Sequence, residues 1–284
     1  MSCWITLADG RRLVYHRRGS GPMLVCHPGG PGIGSAYFSD LAGLAEDFEL
    51  VILEPRGTCD SDRPGNPDAY QLEDYVADLE ELRVQLSIDQ MWLLGHSHGG
   101  FVAQVYAADH PDHVERLVLA NTAARISGEA VEAAMEAALQ RHADQPWYAD
   151  ARQALDDETA GRYAGDADLG ALLVRELPLY VSRYDERVAE YIAAVAEEPP
   201  NGDALRVSNN ALSTFDLRAH LPSVRCPTLV LTGEDDFITP PVAAEEIAGL
   251  VPGATLRIIP ACGHWSFVEQ PLQFRGLVRD FLLG

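Results

Sequence analysis

The sequence predicts an α/β protein with a mostly parallel sheet whose two faces are covered by helices. Short apolar runs that end in turn residues recur along the chain, and such runs are typical of strands buried on both faces. Helical patterns lie between the runs, and this alternation favours a parallel sheet. The runs that we expect to form strands are residues 23–28, 49–55, 91–96, 116–122, 227–234 and 255–260.

The clearest helical pattern between two of these runs is LEDYVADLEELRVQL, residues 72–86. Apolar side chains recur there at the spacing that gathers them on one face of a helix. We therefore expect this segment to cover one face of the sheet. The residues on that face are Leu72, Val76, Leu79, Leu82 and Leu86.

The alternation lapses between about residues 123 and 220. Alanine-rich and acidic patterns such as SGEAVEAAMEAALQRHA (127–143) appear there without convincing strands, and Pro and Gly breakers predict several short helices. A length of 284 residues suits one α/β core with an insertion. We therefore expect core segments at 1–122 and 221–284, with a helical cap at 123–220.

Composition and charge exclude several classes of protein. With 47% hydrophobic and 23% charged residues, the chain has the balance of a globular protein. It has no apolar run of about 18 residues and no signal-like N-terminus, so we expect a cytoplasmic protein without a membrane partner. Its 43 acidic residues against 21 basic ones, a net charge of -22, disfavour nucleic acid. Its five cysteines lack a C-x-x-C pair, which indicates free thiols and no metal site.

The stretch WLLGHSHGGFVAQ, residues 92–104, places Ser97 in a G-x-S-x-G motif. The motif follows an apolar run and precedes a helical pattern, which is the strand-turn-helix context of a nucleophile elbow. A turn serine that caps the helix is the alternative interpretation. His96 and His98 are poor candidates for the base, because neighbours on a sharp turn point away from the serine. We expect them to line or support the turn.

A better base is His264, which lies in PACGHWSFVEQP on the loop after the last apolar run. Open α/β sheets place their sites on loops at the carboxyl ends of strands. The carboxylate that would orient this histidine is Asp236 in TGEDDFITP, whereas Asp235 and Glu234 are expected to be solvated. The chain order Ser97, Asp236, His264 strengthens three signals that are individually weak.

An oxyanion hole requires main-chain N–H groups beside the nucleophile. One donor is expected from His98, the residue after the serine. The other is expected from Gly30 in CHPGGPGIGS, with Gly29 as a neighbour that could share the role. A phosphate-binding loop is disfavoured, because neither G-x-x-x-x-G-K nor G-x-G-x-x-G occurs in this stretch.

Five motifs together resemble the α/β-hydrolase superfamily, and within it the proline iminopeptidase-like branch. The resemblance covers roughly residues 20–121 and 221–284, and it implies a serine hydrolase with a helical cap that uses no metal and no organic cofactor. The motifs are GGPG (29–32), EPRGTCDSDRP (54–64), GHSHGG (95–100), GEDDFITP (233–240) and GHWSFVEQP (263–271).

The chain departs from the usual motifs of this branch at three positions. Pro28 stands where the branch has histidine, Glu54 where it has aspartate, and Cys59 where it has glycine. The resemblance also implies that cap glutamates hold the free amine of an aminopeptidase substrate. The glutamates considered for this role in the cap are Glu176, Glu186, Glu197 and Glu198.

The leading hypothesis is an acyl hydrolase that acts through an acyl-enzyme on a small-molecule or short-peptide substrate. An aminopeptidase for small N-terminal residues is the first candidate, and a carboxylesterase or lactonase is the alternative. A receptor that holds a small ligand on the same fold is a hypothesis of another class. Ser97 argues against dehalogenase and epoxide hydrolase chemistry, because those members of the fold use aspartate at this position. The oligomeric state stays open.

Overall fold

A computed structural model of the chain describes residues 1–196, 198–211 and 214–284. Its strands form one sheet in the order β1-β2-β4-β3-β5-β6-β7-β8. The strands from β3 onward pair in parallel, and β2 pairs antiparallel with both β1 and β4. The strands are β1 (Ser2–Thr6), β2 (Arg12–Gly19), β3 (Met23–His27), β4 (Glu49–Leu53), β5 (Met91–His96), β6 (Val114–Ala120), β7 (Thr228–Gly233) and β8 (Thr255–Ile259).

The six apolar runs of the sequence form β3 to β8, so the prediction of a mostly parallel sheet is confirmed. The antiparallel pair β1 and β2 was not among the predicted strands. β1 lies at the edge of the sheet and leaves Trp4 65% exposed. Because an edge strand has a partner on one side only and is less buried, it lacks the continuous apolar run that marks a central strand.

Helices fill the connections between the strands. The helix predicted at 72–86 is confirmed as α1, and the helix after Ser97 is α2. The α-helices are α1 (Leu72–Gln85), α2 (His98–Asp109), α3 (Glu129–Gln140), α4 (Tyr148–Thr159), α5 (Asp166–Glu176), α6 (Glu186–Val195), α7 (Gly202–Ala211), α8 (Pro241–Leu250), α9 (Ser266–Glu269) and α10 (Pro271–Leu283).

Hydrophobic cores lie on both faces of the sheet. Successive residues of a strand point to opposite faces, and on β5 Leu93 belongs to the core that contains Leu79 of α1. Its neighbour Leu94 belongs to the core that contains Phe274 and Val278 of α10. Both leucines are fully buried. This double burial fixes the sheet and, with it, the positions of the loops at the carboxyl ends of its strands.

Helices α3 to α7 lie between β6 and β7, where the sequence predicts the cap. The expectation of several short helices is confirmed, since each of these helices has between 10 and 12 residues. The exact division at residues 122/123 and 220/221 stays a prediction. None of the helices in the described residues is long and apolar enough to cross a membrane.

Candidate active site

Ser97 lies in the turn between β5 and α2 with φ 53° and ψ -121°. A positive φ is uncommon for a residue other than glycine and is held only where surrounding contacts impose it. Here the Ser97 N–H donates to Ala120 O at 3.1 Å, and the Ser97 carbonyl accepts from Thr122 Oγ1 at 2.8 Å. The end of β6 thus holds the serine in its strained turn.

Two glycines allow the backbone segments around this turn to approach closely. A Cβ added to Gly95 would lie 2.4 Å from the carbonyl oxygen of Gly99. A Cβ added to Gly99 would lie 2.2 Å from the carbonyl oxygen of His27 on β3. Both distances are shorter than any side chain permits, so the flanking glycines of the G-x-S-x-G motif are required by the packing of β5, α2 and β3.

The structure brings His264 and Asp236 together. His264 Nδ1 lies 2.9 Å from Asp236 Oδ2 and 3.1 Å from Oδ1. Both side chains are at most 3% exposed. A carboxylate can only accept, so Nδ1 carries a proton, and in the neutral imidazole the lone pair is then on Nε2. This is the tautomer that a general base at Nε2 requires.

Several donors converge on the Asp236 carboxylate. The main-chain N–H groups of Ile238 and Thr239 donate to Oδ1 at 2.9 and 3.0 Å, and Asn121 Nδ2 donates to Oδ2 at 2.9 Å. Burial, the largest single influence, raises the pKa of Asp236, but His264 and these donors together outweigh it and hold the pKa below the ordinary value. The carboxylate therefore stays ionised beside His264.

Ser97 and His264 line the same cavity, and both are part of the described chain. Their side chains are not hydrogen-bonded to each other in this structure. Hydrogen bonds between a nucleophile and its base often form fully only when substrate binds, so this separation is compatible with His264 as the base.

His96 is turned away from Ser97 and joins two loops instead. Its Nε2 lies 3.0 Å from the carbonyl oxygen of His264, and its Nδ1 lies 2.9 Å from Tyr37 Oη. Tyr37 Oη in turn accepts from the Gly29 N–H. Burial lowers the pKa of His96 to about 3, so the ring is neutral, with its proton on Nε2. This buried chain of hydrogen bonds connects the glycine loop with the loop of His264.

His98 also supports the turn, since its ring packs against Tyr75 and Phe101. Burial and the neighbouring His27 lower its pKa to about 3. As the first residue of α2, His98 has an N–H without an acceptor inside the helix. Its main chain is therefore free for the oxyanion role that the sequence predicts.

The glycine loop lies directly against the serine. A Cβ added to Gly29 would be 2.7 Å from Ser97 Cβ. The Gly29 N–H is occupied by Tyr37 Oη, so the expectation that Gly29 could share the oxyanion role is wrong for this conformation. Gly30, the predicted donor, follows with φ +123° and lines the cavity.

The prediction that Asp235 is solvated is wrong. Its side chain is 1% exposed, pairs with Arg141 after α3 and accepts a hydrogen bond from Ser182 Oγ. The adjacent charge of Arg141 and the donor from Ser182 compensate the burial of this carboxylate. Glu234 is exposed, as predicted.

Two of the three departures from the family motifs, at positions 54 and 59, lie in well-defined local surroundings. Glu54 is buried and accepts from His16 Nε2 at 2.8 Å and from the Ser35 N–H at 2.9 Å, so the longer side chain fastens the segment after the glycine loop. Cys59, in the position of the usual glycine, keeps a left-handed φ of 47°. Its Sγ lies 2.7 Å from Glu198 Oε2.

A cavity of about 950 Å³ opens over Ser97 between the cap and the sheet. Most of its lining is apolar, and Phe237, Trp265 and residues of α3, α4 and α5 contribute to it. Two buried carboxylates, Glu176 on α5 and Glu158 on α4, also line it. Glu176 is among the glutamates that the sequence suggests for the cap, but Glu158 is not, because a single acid on an acidic amphipathic helix gives no signal of burial.

The two carboxylates are sparsely paired. Glu176 Oε1 accepts from Tyr180 Oη at 3.1 Å, whereas Oε2 has no partner among the described residues. Glu158 Oε1 accepts from Asn209 Nδ2 at 3.2 Å. Burial and then the charge of Glu158 raise the pKa of Glu176 to about 8. Burial and a neighbouring like charge disfavour the ionised form of Glu176, and a nearby cation would stabilise that form.

The other glutamates considered for the cap differ from these two. Glu186 and Glu198 are exposed, although Glu198 contributes to the lining of the cavity. Glu197 lies outside the described residues.

One group of side chains elsewhere has potential metal ligands. Glu80, His110 and His113 bring ligand atoms within 4.8 Å of one another. The Arg83 guanidinium donates to both carboxylate oxygens of Glu80, at 2.7 and 2.8 Å. All three residues of the group are only partly buried. The guanidinium therefore already occupies the place of a cation.

Comparisons with known proteins agree with this geometry. The sequence profile of the alpha/beta hydrolase fold matches residues 22–271. A proline iminopeptidase from Lactobacillus delbrueckii subsp. bulgaricus is 30% identical over 96% of this chain and 93% of its own length. A putative carbamate hydrolase from Caulobacter sp. (strain K31) is 28% identical over 95% of this chain and 96% of its own length.

Among solved structures, the enol-lactonase from Burkholderia xenovorans LB400 superposes with a TM-score of 0.76 at 25% identity. The alignment covers 99% of this chain and 100% of the lactonase chain. The fold, the profile match and these relatives define the class: the chain belongs to the α/β-hydrolase family. Within that family it belongs to the proline iminopeptidase-like branch.

Proposed function

We propose that the protein is a serine hydrolase that forms an acyl-enzyme on Ser97. The observation that carries this proposal is the buried His264–Asp236 pair, whose histidine lines one cavity together with Ser97, a serine held in a positive-φ turn. Along the chain the order is Ser97, Asp236, His264, which is the order of nucleophile, orienting acid and base that the fold uses.

In this mechanism Ser97 Oγ attacks the carbonyl carbon of the substrate while His264 Nε2 takes its proton. Asp236 stabilises the imidazolium that forms, since it already accepts from Nδ1. The N–H groups of Gly30 and His98 stabilise the oxyanion of the tetrahedral intermediate. His264 then returns the proton to the leaving group, and a water activated by the same histidine hydrolyses the acyl-enzyme.

For the substrate we propose a small aminoacyl amide or ester with a free amine, as expected for a proline iminopeptidase-like hydrolase. The supporting observation is the buried Glu176, whose Oε2 has no partner among the described residues, beside Glu158 in the wall of the cavity. A substrate ammonium would stabilise the ionised form of Glu176 and supply the donor that Oε2 lacks. The mostly apolar lining of the cavity suits a hydrophobic side chain.

The experiment compares kcat/KM for prolyl p-nitroanilide, its N-acetyl form and p-nitrophenyl acetate. An ammonium held by a buried carboxylate is worth about 2 to 5 kcal/mol, so acetylation should lower kcat/KM on the order of 30-fold or more. Glu176→Gln should remove most of this preference. Glu186→Gln is the matched control, because Glu186 is a cap glutamate that is exposed.

Equal cleavage of the free and acetylated anilides would refute the amine preference. Turnover of esters or lactones without any anilide cleavage would favour the esterase or lactonase alternative. A fluorophosphonate that labels the wild-type protein but not Ser97→Ala supports the serine mechanism. Absence of labelling, together with tight binding of a small ligand, would instead support the receptor hypothesis.

A further inference from the structure

Tyr180 contacts both the cap carboxylate and the histidine of the candidate site. Its hydroxyl donates to Glu176 Oε1 at 3.1 Å. Its main-chain carbonyl accepts from the His264 N–H at 2.7 Å. The Tyr180 ring also packs edge-on against the imidazole, with ring centroids 5.7 Å apart and an interplanar angle of 76°. One residue therefore touches the two groups that would recognise and process an amine substrate.

The surroundings of Tyr180 hold it in place. Its ring packs at right angles to Phe237, 5.3 Å between centroids, and lies 5.8 Å from the Trp265 ring. A Cβ added to Gly263 would lie 2.4 Å from the Tyr180 carbonyl oxygen. The backbones of Tyr180 and Gly263 are therefore in close contact. Tyr180 cannot shift by a fraction of an ångström without displacing the loop of His264.

The hydroxyl also restricts the Glu176 carboxylate. With Oε1 held by Tyr180, rotation of the carboxylate about its terminal bond would break that hydrogen bond. Oε2, which is buried and lacks a partner among the described residues, is then presented in a fixed direction. A fixed acceptor binds an ammonium with less loss of side-chain entropy than a freely rotating one.

We propose that Tyr180 is a positioning residue, which aligns Glu176 with the amine of the substrate through its hydroxyl and holds His264 through its main chain and ring. This inference rests on the proposed aminopeptidase function and assigns to one cap residue the coupling between amine recognition and the general base. The hydroxyl therefore affects only the binding of the substrate amine, whereas the ring and the main chain position His264 for every substrate.

Two substitutions separate these contributions. Tyr180→Phe keeps the ring and the main chain and removes only the donor to Glu176. It should lower kcat/KM for prolyl p-nitroanilide about tenfold, mainly through KM, because a hydrogen bond to a charged group is lost. The loss should be smaller for p-nitrophenyl acetate, because this substrate has no amine for Glu176 to bind. Tyr180→Ala also removes the ring, and it should lower kcat for both substrates.

Tyr184→Phe provides the matched control. Tyr184 belongs to the same connection between α5 and α6, is 36% exposed and packs against Trp147 rather than against the candidate site. Neither substrate should respond to this change. A direct binding measurement guards against ambiguity in the kinetics: in a Ser97→Ala background, calorimetry should show weaker prolinamide binding when Tyr180→Phe is added.

The outcomes distinguish this inference from the function on which it rests. If the wild-type protein cleaves free and acetylated anilides equally, the amine subsite fails and the inference fails with it. If the wild-type protein discriminates but Tyr180→Phe leaves both rates unchanged, or lowers both equally, only the positioning role is overturned. A loss that is larger for the amine substrate, with weaker prolinamide binding, supports it.

Discussion

Asp235 and Asp236 are neighbours in the sequence, yet their buried carboxylates contact different parts of the molecule. Asp236 accepts from His264 Nδ1 at 2.9 Å, whereas Asp235 pairs with Arg141 of the cap region. The turn after β7 therefore connects the sheet both to the candidate base and to the cap. Two chemically identical side chains acquire separate roles from a difference of one residue in position.

Substitution of these two aspartates should separate catalysis from stability. Asp236→Asn cannot stabilise the imidazolium and favours the wrong tautomer of His264, so kcat should fall on the order of 10⁴-fold. Asp235→Asn should leave kcat within a few-fold, but weaken the contact with Arg141. Because Arg141 is 54% exposed and solvent screens the pair, the expected loss of unfolding free energy is only about 1 kcal/mol.

Steady-state kinetics and thermal unfolding of both variants test this assignment. A larger loss of kcat in Asp235→Asn than in Asp236→Asn would show that Asp235, and not Asp236, is the acid that orients His264.

Removal of the nucleophile or the base should abolish turnover while the fold survives. Ser97→Ala and His264→Ala should each lower kcat by several orders of magnitude, and the double variant should be little worse, because the residues act as a unit. Circular dichroism provides the control for folding. Either single variant that kept more than about a tenth of wild-type kcat would remove its residue from the mechanism.

The sequence predicts the sheet well where strands are central. Runs such as 91–96 are buried on both faces, so their composition alone marks them. The edge strand β1 lacks this signal because one side is solvated, and Trp4 remains exposed on it. The local motifs and their order along the chain indicate Ser97, Asp236 and His264 as the candidate nucleophile, acid and base.

Contacts between segments that are distant in sequence could not be predicted in the same way. The burial of Asp235 depends on Arg141, which lies 94 positions earlier in the chain. The role of Glu158 depends on how α4 packs over the cavity, since the same acid on a solvated helix face would look identical in sequence. Tertiary packing determines the burial of both carboxylates, and the pattern of residues along the sequence does not reveal that packing.

The raised pKa of Glu176 predicts a dependence of stability on pH. Burial and the charge of Glu158 raise this pKa from an ordinary 4.5 to about 8 in the folded protein. The folded state then binds the proton more tightly than the unfolded state, so this group lowers the free energy of unfolding as pH rises from about 4.5 to about 8. Glu176→Gln removes that loss.

The melting temperature of Glu176→Gln relative to wild type should therefore rise between pH 5 and pH 8.5, by the equivalent of up to a few kcal/mol. Titrating groups that do not interact with Glu176 are present in both proteins, so their contributions cancel in the difference. Glu186→Gln, which changes an exposed glutamate, should show no such trend. A difference between Glu176→Gln and wild type that is independent of pH would contradict the raised pKa.

The contact between Gly29 and Ser97 predicts a steric requirement for catalysis. An added Cβ at Gly29 would lie 2.7 Å from Ser97 Cβ and 3.2 Å from the carbonyl oxygen of His96, so Gly29→Ala must push the glycine loop away from the serine. Gly30 would move with it, which would displace the N–H that we propose as an oxyanion donor. Loss of one such donor costs about 10² to 10³ in kcat.

Gly249→Ala is the control for a glycine-to-alanine change, because a Cβ at this position in α8 meets nothing within 4 Å. It should raise the stability by about 0.5 to 1 kcal/mol, since alanine loses less backbone entropy in a helix, and leave kcat unchanged. Kinetics with p-nitrophenyl acetate and thermal unfolding measure both effects. Wild-type kcat in Gly29→Ala would place the second oxyanion donor outside the glycine loop, because that loop cannot accept a methyl group without moving.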